Sequence, residues 1–357
     1  MRIFHKVGRP KINSKYIFNF FFNIFAQFFP KIVLKKIMEH KFMDFGMEIT
    51  NICNANCTFC TYRYQKKKKK VLDFENFKKI INQYSELGGG PLALTPTVGD
   101  PLVDPEILEK IKYARSKKNI TSIFLYTNGI LINKFGFKNL VDSGLSRLAI
   151  STYVGSSEGY LKYYQKNQYN TVINNIVEIS KLSKIENYKC KITLHLRVES
   201  EKIWKDTEDY KRISEYVNEE NISYLTSYDS WSGKITIDDL PIGCTISKSI
   251  SLDQKIKSGP CFELYRRLNV LEDLKVGACV CVDLESEINV GSLEKNNLEE
   301  IWNGKKIRQI RNDWNKGKLP EVCKSCTRYD PIDNFILKNK SEILKRPIQR
   351  FLKLFNY

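Results

Sequence analysis

The sequence predicts an α/β fold built on a parallel sheet, followed by a smaller α+β unit. Short apolar strand patterns alternate with helical patterns from Phe45 to Thr226. Glycines close the helices where a turn back to the sheet is needed. In the last third this alternation stops, and cysteines appear among short, turn-rich segments. At 357 residues the chain is long enough for one large domain with an appendage. Its 42% hydrophobic and 27% charged residues exclude wholesale disorder and a multi-span membrane protein.

The series opens with a strand at Phe45–Ile49 that runs into a cysteine-bearing loop. Asp73 then caps a helix whose apolar positions Phe74, Phe77, Ile80, Ile81, Tyr84 and Leu87 recur at helical spacing before Gly88, Gly89 and Gly90 stop it. A strand at Leu92–Thr95, a helix at Pro105–Arg115 and a strand at Ile123–Tyr126 ending in Thr127-Asn128-Gly129 follow. A helix at Phe137–Ser143, closed by Gly144, leads to a strand at Arg147–Ser151. Thr171–Ser183, Ile192–Val198, Asp209–Val217 and Ile222–Thr226 complete the helix and strand series, and Trp231-Ser232-Gly233 turns the chain out of it. Periodicity leaves open whether the sheet is an open doubly wound one or a partial barrel.

Charge is concentrated at the ends. The net +18 is accounted for by a surplus of eight in residues 1–41, five in residues 338–357 and five in the run Lys66 to Lys70. The neutral remainder gives no reason to expect specific nucleic-acid binding. Between Lys15 and Lys31 lie fifteen uncharged residues, too few for a spanning helix. On a helix, Lys15, Asn19, Asn23, Gln27, Lys31 and Lys35 form a narrow polar stripe on an aromatic cylinder, with Pro30 expected to kink it. That pattern suits an anionic membrane surface, and the apolar, basic tail Ser341–Tyr357 supports it. Docking of this helix on the enzyme body, and a secretory signal without a convincing cleavage site, are the alternatives.

Ten cysteines in this length are not a disulfide framework. Cys53-x3-Cys57-x2-Cys60 supplies three soft ligands, one fewer than a closed tetrahedral zinc site requires. Three thiolates on a four-iron cluster leave one iron open. The stretch MEITNICNANCTFCTYRY, with Phe59 directly before the third cysteine, resembles the cluster loop of the radical S-adenosylmethionine (SAM) enzymes. The resemblance covers roughly residues 44–335 and implies a partial (β/α)6 TIM-like barrel. It also implies that SAM, chelated at the open iron, is reductively cleaved to a 5′-deoxyadenosyl radical that takes a substrate hydrogen.

Further positions follow from the resemblance. Gly99-Asp100-Pro101-Leu102 stands where the family has Gly-Gly-Glu, which holds the SAM amino group; Val98 replaces the first glycine and Asp100 the glutamate. Ser151, ending the fourth strand, matches a serine placed near the ribose or carboxylate of SAM. The fifth strand offers a signal independent of family. KITLHLRVE alternates apolar Ile192, Leu194, Leu196 and Val198 with Lys191, Thr193, His195, Arg197 and Glu199. If that second face lines a barrel interior, His195 and Arg197 are candidates for SAM carboxylate or substrate contact. Tyr62 and Arg63 are candidates for the pocket wall.

In the last third, Cys261-x17-Cys279-x43-Cys323-x2-Cys326 would close a four-thiolate site. The surrounding sequence resembles the SPASM and shortened "twitch" auxiliary-cluster domains, with Asp283, Gly291 and Ile301-Trp302-Asn303 at matching places and Leu274 where a hairpin glycine is usual, so an altered turn is expected. The cofactors implied are SAM and two [4Fe–4S] clusters, with zinc the alternative at the second site. Cys281 is expected to be a non-ligand, and Cys190 and Cys244 buried thiols.

The expected division is 1–43 extension, 44–250 barrel, 251–335 auxiliary domain and 336–357 tail. The cysteine spacing is similar to that of 2-deoxy-scyllo-inosamine dehydrogenase, which oxidises a cyclitol alcohol. This points to alcohol oxidation on a sugar, cyclitol or lipid-linked glycan precursor, with the auxiliary cluster accepting an electron. The alternatives are maturation of a ribosomally made peptide and a noncatalytic metal-binding membrane adaptor. The 52 residues ahead of Cys53 are too few and too aromatic for a leader-binding winged helix. An electron donor such as flavodoxin or ferredoxin is implied, as is a cytoplasmic location, peripheral at the inner membrane face.

Overall fold

The computed structural model describes residues 30–186, 188–247, 257, 259–279 and 282–339. The expectations for residues 1–29, for the tail from 340 onward and for Cys281 lie outside the described residues.

Six parallel strands follow one another in chain order: β1 (Asp44–Met47), β2 (Gly90–Ala93), β3 (Ile120–Thr127), β4 (Arg147–Tyr153), β5 (Lys191–Arg197) and β6 (Ile222–Leu225). A doubly wound sheet reverses its strand order at a switch point, and this one does not. The fold is therefore the partial TIM-like barrel, with principal helices α1 (Pro30–His40), α2 (Phe74–Glu86), α3 (Ile107–Arg115), α4 (Phe137–Asp142), α5 (Ser157–Tyr164), α6 (Tyr169–Ile185) and α7 (Glu208–Ser214).

Local chemistry matches the reading of the sequence. Asp73 Oδ1 accepts from Asn76 N at 2.9 Å and starts α2, whose buried Phe77, Ile80, Ile81 and Tyr84 face the sheet. Phe45 of β1 stacks on Tyr84 at 4.3 Å, so the odd-numbered residues of β1 face the helices and the even-numbered ones the interior. α5 is missed by the sequence reading, because its core consists of Tyr160, Tyr163 and Tyr164, residues with little intrinsic helix preference.

The last third is less separate than expected. β9 (Arg267–Val270) pairs in parallel with β1, and β10 (Lys275–Gly277) and β11 (Asn289–Ser292) continue antiparallel from it, after a short pair β7 (Ser227–Tyr228) and β8 (Thr245–Ile246). Among the described residues, barrel and auxiliary strands form one nine-stranded sheet. Leu274 stands in the β9–β10 turn with φ +68°, the conformation a glycine would take there. The turn thus keeps its shape at the expense of side-chain strain. Residues 30–43, expected to belong to the extension, are part of the body: Leu34 and Met38 are fully buried, and Arg311 Nη1 reaches Glu39 O at 3.4 Å.

A buried carboxylate ties the two halves at the β1–β9 joint. Glu48 Oε1 accepts from Thr97 N at 2.9 Å, from the Thr97 hydroxyl, and from Asn269 Nδ2 at 3.2 Å. Burial, opposed by Lys67 and the Thr97 hydrogen bonds, raises its pKa to about 7. Glu272, 1% exposed, accepts from Asn51 Nδ2 at 2.7 Å and lies 3.6 Å from Lys67 Nζ. On α3, the fully buried Lys110 pairs with Asp104 at 2.6 Å and also donates to the Leu72 carbonyl.

Two outcomes follow. Lys110→Ala leaves Asp104 buried and uncompensated, so denaturant unfolding should show a loss of about 3–5 kcal/mol. Because the folded pKa of Glu48 is raised, the native state binds more protons than the unfolded state between pH 4.5 and about 7. Stability relative to Glu48→Gln should therefore be full below pH 4.5 and fall as pH rises through about 7, by roughly 3 kcal/mol, measured as unfolding free energy against pH.

Candidate functional site

β1 runs through the buried residues Glu48 to Asn51 into the loop that carries Cys53, Cys57 and Cys60. Asn51 closes the base of this loop. Its Oδ1 accepts from Lys70 N at 2.8 Å and its Nδ2 donates to Lys68 O at 2.9 Å, while Thr50 Oγ1 donates to Lys70 O at 3.0 Å. The lysine run is thereby strapped across the loop as ordered backbone. On the far side, Asn56 N and Thr58 N donate to the last carbonyls of α5, Tyr164 O at 3.3 Å and Tyr163 O at 2.9 Å.

Inside the loop, Cys60 N donates to Cys57 O at 3.2 Å, and Cys60 Sγ accepts from Tyr62 N at 3.5 Å at the head of the single turn Thr61–Tyr64. Phe59 is buried against Tyr164 at 5.5 Å and Tyr228 at 5.4 Å. Burial, then the Asp100 charge, pushes the Cys53 thiol up to about 12. Burial likewise raises Cys57 and Cys60, and Cys57 is raised further by its two companion thiols. Arg197 opposes both shifts. Three partly buried thiols with raised pKa values beside one guanidinium suit a thiophilic metal cluster that would itself deprotonate them.

The Gly99-Asp100 segment lies directly against this loop. Gly99 has φ +128°, a Cβ there would sit 3.0 Å from Thr50 O, and Asp100 N donates to Ile52 O at 2.9 Å. Asp100 turns its carboxylate to the protein's own donors. It is 1% exposed, and its oxygens accept from Leu102 N at 3.0 Å, Thr127 Oγ1 at 2.9 Å and Asn128 N at 2.7 Å. The carboxylate is a clasp that joins the end of β3 to the Gly99 turn. Asn128, held by it, donates to Asn54 Oδ1 at 2.7 Å and stands 3.9 Å from Cys53 Sγ. The sequence reading noticed Thr127-Asn128-Gly129 only as a strand end; its position at the carboxyl end of a parallel strand was the available signal.

Ser151 and Arg197 meet, and His195 lies beside them on the same strand face as Arg197. The Arg197 Nη1 donates to Ser151 Oγ, and its guanidinium lies 4.6 Å from the Phe59 ring centre and 5.5 Å from that of Tyr228. Its Nε is buried without a hydrogen-bond partner. One pleat deeper, His195 packs 5.1 Å from the Tyr126 ring and lies 2.8 Å from Ser223 Oγ through Nδ1. Burial, then Arg147 and Arg197, holds its pKa below the usual histidine value. Tyr62 and Arg63 line, with Cys53, Gln65, Lys69 and Lys166, a cavity of about 420 Å³.

In the last third, Cys323 and Cys326 sit at a short helical turn, with Cys326 N donating to Cys323 O at 3.4 Å. Lys257 Nζ donates to both carbonyls, at 2.8 Å to Cys326 O, and the Cys326, Cys323 and Cys261 thiols all bear on its charge. Cys279 follows β10 and is partly buried against the same core. Burial, then Cys326, raises the Cys323 thiol to about 12. Among the described residues no three His, Cys, Asp or Glu side chains converge as around a single metal ion. Asp283 accepts from Glu287 N at 2.7 Å and Ile288 N at 2.8 Å and shapes the turn before β11. Gly291 of β11 admits Ile301, whose Cγ1 would lie 2.8 Å from a Cβ there. Cys190 and Cys244 are buried as expected.

Comparison with known proteins agrees with this geometry. The Radical SAM superfamily matches residues 47–210, and the iron–sulfur cluster-binding SPASM domain matches residues 261–327. A GTP 3′,8-cyclase of Alkaliphilus metalliredigens is 31% identical over 121 residues, 33% of this chain and 37% of that protein, so the match spans little more than a third of the relative. The crystal structure of BtrN in complex with AdoMet and 2-DOIA superposes with a TM-score of 0.53 at 15% identity, covering 82% of this chain and 95% of that one. Streptococcus suis SuiB bound to S-adenosylmethionine gives a TM-score of 0.51 at 13% identity, covering 76% and 68%. With both cysteine sets lying inside the matched segments and the parallel barrel between them, the chain belongs to the radical SAM superfamily with a C-terminal SPASM iron–sulfur domain, and its cofactors are SAM and [4Fe–4S] clusters.

Proposed function

We propose that this radical SAM enzyme oxidises an alcohol of a sugar, cyclitol or glycan precursor. The observation that carries the reading is the polar interior of the barrel, where His195 Nε2, Thr193 Oγ1 and Arg197 Nε are buried without partners on one strand face. Buried polar atoms are normally satisfied, so an interior of this kind is made for a ligand rich in hydroxyl groups. The solved structure that names both AdoMet and 2-DOIA adds support.

In this reading Cys53, Cys57 and Cys60 hold the cluster that, when bound with SAM, supplies the electron releasing a 5′-deoxyadenosyl radical. The remaining tasks fall to the protein. Arg197, oriented by Ser151, offers its guanidinium to the SAM carboxylate. The Gly99-Asp100 backbone and Asn128 border SAM, with Asp100 acting through its hold on Asn128, and Phe59 walls the site from water. Cys261, Cys279, Cys323 and Cys326 hold the auxiliary cluster as electron acceptor, and Cys281 stays outside the ligand set. The barrel then extends to about residue 250 and the auxiliary domain to about 335. A flavodoxin or ferredoxin delivers the first electron.

The basic ends are assigned to an anionic membrane surface. In support, Lys31 meets Asp333 at 3.9 Å, so the two ends of the described chain lie on one side, where Ile32 and Leu337 are 65% and 54% exposed. Among the described residues no helix is long and apolar enough to cross a membrane.

Anaerobic reconstitution should load about eight irons, falling to about four in a Cys53/Cys57/Cys60→Ala triple variant that no longer cleaves SAM under reductant. Zinc in place of iron, or iron without SAM cleavage in the wild type, would overturn the assignment. For the ends, removal of residues 1–29 should lower co-sedimentation with phosphatidylserine-containing vesicles several-fold at low salt. Equal sedimentation of both proteins would count against a membrane role.

A further inference from the structure

The interior of the barrel holds a histidine whose tautomer is set by one neighbouring hydroxyl. Ser223 Oγ lies 3.3 Å from Leu194 O, an acceptor for its single proton. The same oxygen lies 2.8 Å from His195 Nδ1, and when its proton is given to Leu194 O it accepts from Nδ1. In that arrangement Nδ1 carries the proton of the imidazole, and Nε2 carries the lone pair. Nε2 is buried and has no hydrogen-bond partner among the described residues. An unmade buried acceptor destabilises the site, a deficit that a donating ligand removes.

The surroundings keep the ring neutral. Every charged neighbour that bears on it is a cation, Arg147 of β4 and Arg197 of β5, and the other faces meet the Tyr126 ring of β3 and the Ser223 hydroxyl of β6. Burial and both cations hold the pKa below 6.5. His195 precedes Arg197 by one pleat on the same strand face, about 7 Å deeper in the barrel. A substrate hydroxyl at Nε2 would thus lie next to the region in which Arg197 reaches Ser151 and the cysteine loop.

We propose that His195 Nε2 is the proton acceptor for the substrate hydroxyl, with Ser223 as the positioning residue that fixes its tautomer; this deepens the alcohol-oxidation reading and rests on it. The carbinol C–H hydrogen leaves as an atom to the deoxyadenosyl radical, forming 5′-deoxyadenosine and a carbon-centred radical. The O–H proton of that radical passes to Nε2. Its unpaired electron passes to the oxidised auxiliary cluster, and the carbon–oxygen double bond forms. The hydroxyl of a carbon radical is much more acidic than that of an alcohol, so a neutral imidazole of modest basicity is sufficient. The substrate class is a secondary alcohol whose hydroxyl donates into the barrel.

Two measurements test this. The chain has three histidines, so 15N labelling of histidine in the reconstituted, oxidised full-length protein gives three ring systems, and His195→Gln identifies one by its loss. The expected result is an Nδ1–H tautomer titrating below pH 6.5, with the tautomer preference lost in Ser223→Ala. An Nε2–H tautomer, or an imidazolium at pH 7, would overturn the proposal. In the second, reconstituted enzyme is given dithionite, SAM and either 2-deoxy-scyllo-inosamine or myo-inositol. In His195→Gln, at unchanged iron content, ketone formed per 5′-deoxyadenosine should fall at least tenfold. The decline in wild-type ketone yield below the imidazole pKa should be absent in the variant. An unchanged ratio and pH profile in His195→Gln would reject His195 as the acceptor. Wild-type deoxyadenosine without ketone from either probe would instead count against alcohol oxidation, and the tautomer measurement separates the two failures.

Discussion

The structure depends on the buried carboxylate of Asp100. A parallel barrel presents its strand ends as separate loops, and nothing in strand pairing holds those loops in register with one another. Asp100 accepts from the turn after β2 and from the end of β3 at once, through Leu102 N, Thr127 Oγ1 and Asn128 N. Its own N–H donates to Ile52 O, one residue before Cys53. Three loops are therefore tied together, and Asn128 is delivered to Asn54 beside Cys53 Sγ. A carboxylate with several donors is one of the few groups that can be buried and still tie several backbone segments together.

A second tie joins the halves of the chain. Because β9 pairs in parallel with β1, the auxiliary domain begins as a seventh parallel neighbour of the barrel rather than as a separate bead. Glu48 with Asn269, and Asn51 with Glu272, cross that joint with hydrogen bonds between residues more than two hundred positions apart. The lysine strap shares the arrangement, since Asn51 holds both its backbone and Glu272. The placement of the two cysteine sets relative to each other is thus set by sheet geometry.

Much of the site was legible in the residues. The alternation of the fifth strand pointed to Arg197 and the family position to Ser151, two residues whose side chains the fold joins. The role of Asp100 was not legible, because a carboxylate in a turn looks the same whether it faces a ligand or is filled by neighbouring amides. Glu48 gave no signal either; within a strand it resembles a solvent-facing residue until β9, from the other end of the chain, covers it. α5 was hidden because tyrosines signal burial more strongly than helix.

The sequence by itself determined the element order, the thiol sets and the sign of the ends, since these rest on local periodicity, ligand spacing and charge counting. Only the tertiary structure decided that the strands curl in chain order, that the auxiliary hairpin extends the barrel sheet, and that Asp100 points inward to the amides of its neighbours. The physical reason is range. Hydrophobic period and chelate spacing act within a few residues, whereas satisfaction of a buried polar atom depends on partners from distant segments, which only the folded chain brings together.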